Sequence, residues 1–62
     1  MITLAFHLER AAEDAVWWID SADVLGFYAS AGDVVECRRR AHEALADLGL
    51  SACETVERLV GA

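Results

Sequence analysis

The sequence predicts an α+β fold: three antiparallel strands with one helix on one face, in the order β-β-β-α, and a fourth strand open at the end. Three observations predict it. Residues 2–9 alternate strictly, with Ile2, Leu4, Phe6 and Leu8 on one side and Thr3, Ala5, His7 and Glu9 on the other, the period of a half-buried strand. Residues 15–20, Ala-Val-Trp-Trp-Ile-Asp, are rich in strand formers. Residues 33–48 place apolar side chains at helical spacing behind a capping residue.

Between the first two strands, residues 10–14, Arg-Ala-Ala-Glu-Asp, interrupt the alternation with charge and read as a hairpin loop. They lack the Asn-Gly or other glycine signal that would fix the turn type. After the second strand, Ser21-Ala22-Asp23 is polar and turn-like, and Val24-Leu25-Gly26 leads into a third short strand at about 27–31. Gly26 and Gly32 punctuate its ends.

The helix opens at Asp33, with Glu36 three residues on to complete a capping box. Val34, Cys37, Ala41, Ala44, Leu45 and Leu48 form one apolar stripe; Arg39, Arg40, His42, Glu43 and Asp47 lie largely off it. Gly49 suits a left-handed C-cap, with Leu50 able to fold back on the last turn. Beyond it the chain is ambiguous. Ser51-Ala52-Cys53-Glu54 is another capping box, and Val56, Leu59 and Val60 have helical spacing, yet residues 54–60 equally fit an edge strand.

Size and composition set bounds. A chain of 62 residues is one domain. A domain this small is marginally stable without a staple or partner, so self-association is expected, a dimer first. At 56% hydrophobic the chain is too apolar for disorder. Its strongest apolar stretch, 15–19, is far short of the roughly 20 residues a bilayer needs. The start, Met1-Ile2-Thr3-Leu4, carries no basic leader. The expectation is a cytoplasmic protein with no membrane contact. Cys37 and Cys53 are not spaced as CxxC and are expected to be two small buried thiols. A net charge of −6 with five basic residues argues against direct nucleic-acid contact and for a basic protein partner.

Alternation also bears on function. Trp17 and Trp18 are adjacent, so as strand residues one faces the helix and the other faces away; parity does not say which. The same holds for Phe27 and Tyr28. A single helix covers one side of a sheet, so the opposite side presents a Trp and another aromatic beside Ala5 and His7. Apolar patches of this kind mark partner surfaces, and Trp and Tyr are favoured anchors there. The alternative is that a loop or the C-terminal segment folds over the outer aromatics. Asp20 and Asp23 read as solubilising and turn residues, or as acidic contacts to a basic partner. Asp33 reads as a cap. The candidate partner or oligomer interface is thus Trp17, Trp18, Asp20, Asp23, Tyr28, Ala5 and His7.

Arg38-Arg39-Arg40 spreads over about 200° of a helix, which suits solvated positions paired with Glu36 or Glu43 better than a nucleic-acid stripe. Catalysis has little to stand on. His7 and His42 are the only imidazoles, and no nucleophile elbow, phosphate loop, HExxH or zinc-type cysteine pattern is present. No enzyme activity, catalytic residue, metal or cofactor is expected.

The order of several segments carries a resemblance. Trp17-Trp18-Ile19-Asp20, Asp23-Val24-Leu25-Gly26-Phe27, Ala31-Gly32-Asp33-Val34-Val35-Glu36 and Arg40-Ala41-His42-Glu43-Ala44-Leu45 resemble the HicB antitoxin family over roughly residues 2–48. Leu25 stands where the family usually has Pro, and Asp33 where its helix opens with Thr. The resemblance implies a partial RNase-H-like fold, β-β-β-α(-β), and on that basis residues 53–60 are assigned to a fourth strand. It implies a HicA-type toxin as partner, a small basic ribonuclease neutralised by steric cover. The twelve residues after Leu50 are too few for the family's DNA-binding module, so operator repression is not carried over. The alternative is a stand-alone HicB-like homo-oligomeric module that binds another host or phage protein. The RNase-H-like topology does not bring a nuclease with it: metal-dependent cleavage needs convergent carboxylates, and the first two strands offer only Glu9 and Asp20.

Overall fold

A computed structural model describes residues 1–11 and 14–60. The elements are β1 (Ile2–Ala11), β2 (Asp14–Asp20), β3 (Tyr28–Ala31), α1 (Val34–Asp47) and β4 (Thr55–Leu59). Among the described residues they form a four-stranded sheet in the order β3-β2-β1-β4 with one helix, an α+β fold. No helix among these residues is long and apolar enough to cross a membrane.

The sheet is mixed, which corrects the expectation of an antiparallel one. β1 pairs antiparallel with β2, and β2 with β3, but β4 runs parallel to β1 from Ile2↔Thr55 to Phe6↔Leu59. The cause is topological. Two reversals leave β3 pointing along β1. The helix then carries the chain back, so the next strand repeats that direction, as parallel pairing requires of a crossover. The helix reading of residues 51–60 is overruled at β4 by this pairing. Ile2 N–H donates to Glu54 O at 2.9 Å and Val60 N–H donates to Phe6 O at 2.9 Å, which ties the segment to the open side of β1.

The hairpin is tighter than the loop expected over 10–14. Arg10 pairs with Ala15 and Ala11 with Asp14; the remainder of that loop, residues 12–13, lies outside the described residues. Downstream, Phe27 N–H returns to Val24 O at 3.3 Å, closing a turn around Leu25 and Gly26. Gly26 has φ +77°, a conformation open to glycine at little cost.

The core lies between the sheet and α1. Ile2, Leu4 and Phe6 from β1, Ile19 from β2, Phe27, and Ala29 and Ala31 from β3 meet Cys37, Ala41 and Leu45 of the helix. Leu4, Ile19, Leu45 and Cys37 are fully buried, and each large aliphatic among them is worth roughly 1.5–3 kcal/mol of burial. The small Ala29 and Ala31 let the helix approach β3, against which it packs together with β2. Leu48, expected on the apolar stripe, is exposed instead, because the helix has ended by that point.

Both helix ends are capped. Asp33 Oδ1 accepts from Glu36 N–H at 2.8 Å, worth about 1 kcal/mol. The reciprocal half of the expected box is replaced: the Glu36 carboxylate pairs with Arg39 and Arg40. At the other end Gly49, at φ +76°, donates to Ala46 O at 3.0 Å, and Leu50 donates to Leu45 O at 2.8 Å, the two bonds of a Schellman ending. Leu50 then packs back on the core.

Candidate partner-binding face

Register decides what each side of the sheet presents. Leu8 lies opposite Trp17 and Phe6 opposite Ile19, so Trp17 joins the helix side. His7 lies opposite Trp18, which therefore points to the outer side. The expectation that the two indoles part is met, and the open question of which faces out is answered by this hairpin register. Phe27 and Tyr28 part likewise: Phe27 is buried and Tyr28 is 60% exposed.

On the outer face three rings run diagonally across three strands. His7 of β1 stacks on Trp18 of β2 with centroids 3.7 Å apart and planes 6° from parallel. Trp18 in turn meets Tyr28 of β3 at 6.0 Å and 28°. Direct and diagonal neighbours on one sheet face are within reach of aromatic side chains. Asp20 closes one end: its Oδ1 lies 2.9 Å from His7 Nε2, while the carboxylate stays about half exposed. That contact keeps the imidazole plane on the indole and leaves an acidic rim beside the rings. Ala5, opposite Asp20, leaves the floor beside it low.

The predicted set therefore divides. Ala5, His7, Trp18, Asp20 and Tyr28 come together on the outer face. Trp17 does not belong with them. Asp23 serves the fold instead, since its Oδ2 accepts Thr3 N–H at 2.8 Å and so holds the loop after β2 against the start of β1. Two further residues were missed by sequence reasoning. Val16 and Val56, 40% and 43% exposed, extend the apolar surface on the same side. Val16 was legible, two residues before Trp18; Val56 required the β1–β4 register.

The helix side is not fully closed either. α1 lies over β3 and β2, and an open cleft of about 340 Å³ remains beside β4, lined by Phe6, Trp17, Val34, Arg38, Glu57, Arg58 and Leu59. Arg38 bridges it, donating to Glu57 at 2.6 and 3.0 Å with its guanidinium 5.4 Å from the Phe6 ring centroid, within cation–π range. Pairing with Glu57 raises the Arg38 pKa above its ordinary value. Arg39 pairs with Glu36 and Glu43 as expected, and Arg40 with Glu36 and the Ser30 carbonyl.

The thiols differ from expectation. Cys37 is buried, but Cys53 is exposed, and both are free. Burial pushes the Cys37 thiol above its ordinary pKa; it donates to Trp17 O at 3.5 Å. His7 on the outer sheet face and His42 on the exposed side of the helix do not converge.

A scan of the chain against protein-family models finds no match, and comparisons with curated proteins and with solved structures find none either.

Proposed function

We propose that this chain is a protein-binding domain whose outer sheet face docks a basic partner. Following the HicB-like resemblance, that partner is a HicA-type ribonuclease toxin, neutralised by covering its catalytic surface. One observation carries the reading: the His7–Trp18–Tyr28 diagonal stands on a face without a helix and is rimmed by the Asp20 carboxylate. A flat aromatic patch supplies desolvation energy, and Trp and Tyr are the residues that most often dominate interface energetics. The chain's net charge of −6 favours encounter with a cationic surface. Inhibition of this kind needs shape and charge, not catalytic groups.

A second reading is a stand-alone HicB-like homo-oligomeric module serving another host or phage protein, and the open edge of β4 favours it.

The test is co-expression with a HicA-type toxin encoded beside this chain. Co-purification and relief of growth arrest, both lost in Trp18→Ser, support the proposal. A pair that neither co-purifies nor relieves arrest defeats it.

A further inference from the structure

We propose that two copies of this chain pair through their β4 edges, antiparallel, about a two-fold axis at Val56. The two sheet edges differ. At β3, only four residues long, the Ser30 carbonyl is occupied by Arg40 Nη1 at 2.9 Å. At β4, the bonds Ile2 N–H to Glu54 O and Val60 N–H to Phe6 O fix the parity of the ladder. Glu54, Val56, Arg58 and Val60 turn their backbone groups toward β1. Thr55, Glu57 and Leu59 turn theirs outward, and among the described residues nothing hydrogen-bonds to them. An edge with a free row of N–H and C=O groups is a template for another strand.

Parity and charge then select the register. Outward residues must pair with outward residues, so a symmetric pair places some residue opposite its own copy. Centring on Glu57 or on Arg58 sets like charges face to face, which is destabilising. Centring on Thr55 leaves Arg58 without an acidic partner. Centring on Val56 joins Val56 to Val56 and sets Glu54 opposite Arg58 of the second copy on both sides. Thr55 and Glu57 then exchange backbone hydrogen bonds with Glu57 and Thr55 of the second copy. Val56, 43% exposed in the single chain, is covered at the non-hydrogen-bonded position, where Cα atoms approach to about 4.5 Å. The product is one eight-stranded sheet with both aromatic faces on the same side. This pairing leaves the outer face free and does not depend on the partner proposed for it.

Charge reversal tests it. Light scattering on the native chain should give twice the 6.7 kDa chain mass. Arg58→Glu and Glu54→Arg, each alone, should weaken the dimer about tenfold or more, since each creates two like-charge pairs. Mixing the two variants should restore a one-to-one dimer, which also shows that both are folded. In a Cys53→Ser background, Val56→Cys should oxidise to a covalent dimer and Arg58→Cys should not, because only the residue on the axis meets its copy within disulfide range. A chain that keeps its single mass at millimolar concentration with native circular dichroism overturns the proposal. So does a dimer indifferent to both reversals and to mixing.

Discussion

Trp17 and Trp18 are neighbours with the same side chain and are both half-buried, yet they play different parts. Trp17 stands on the helix side, beside Val34 and Arg38 at the cleft. Trp18 stands on the bare side, its indole shared between an imidazole and a phenol. What separates them is one residue of parity. The Ala11↔Asp14 pairing at the hairpin end sets Leu8 against Trp17; a one-residue slip would turn every side chain of β2 to the opposite face. Similar exposure thus hides opposite roles, and the sides can be told apart by what each loses on substitution.

The largest effect should come from striking the helix side at its centre. Leu45, 2% exposed, has no cationic partner within the core cluster, so Leu45→Asp buries an unpaired charge. The expected cost exceeds about 4 kcal/mol, comparable to the whole stability of a chain this size. Circular dichroism should show an unfolded chain. A cooperative melt within a few degrees of the native one would break the assignment of that side as the core.

The next effect sharpens the contrast between the indoles. Trp17→Ser should cost about 2 kcal/mol, because it opens the cleft beside Arg38 and removes an indole packed against the core. Trp18→Ser should cost about 1 kcal/mol, chiefly the loss of ring stacking, while abolishing capture of the partner. Equal shifts in melting temperature would remove the distinction between a packing indole and a docking indole.

The smallest effect belongs to the helix surface. Hydrogen bonding from Arg39, with its charge and that of Arg40, holds the Glu36 carboxyl below the usual carboxylate range. A folded-state pKa below the unfolded one means that the stabilisation is fully present above the unfolded value. It is lost as pH falls through the folded one. Glu36→Gln should therefore remove a small stabilisation at neutral pH, as befits an exposed network, and change little at acid pH, which flattens the acid limb of stability by the same small amount. An acid limb of unchanged slope would place the acid sensitivity elsewhere.

Much of this fold could be read from local pattern. The alternation of Ile2, Leu4, Phe6 and Leu8 specifies β1 and its buried side without help. Asp33, Gly49 and Leu50 announce the helix ends because capping is a short-range matter of backbone groups. The rest depended on contacts distant in sequence. The face taken by each Trp followed from a hairpin register that residues 10–14 carry no turn signal to fix. The capping box at Ser51–Glu54 favours helix locally, but β1 offered a free row of backbone groups that β4 could satisfy. Asp23 looked like a turn residue or a contact residue. Its bond to Thr3 N–H, twenty positions away, is invisible to any local rule. The parallel sense of β4 could have been deduced by counting chain reversals, once residues 53–60 were taken as a strand.

The contrast between the two thiols equips the molecule with its own gauge of opening. Thiolates, not thiols, attack alkylating reagents, and Cys37 is sealed from solvent in its protonated form, whereas Cys53 is open to reagent. Under a steady dose of iodoacetamide the first adduct should form at Cys53. The second should wait for the core to part. The ratio of the two rates then reports the fraction of time the core of this small chain is open, without any substitution.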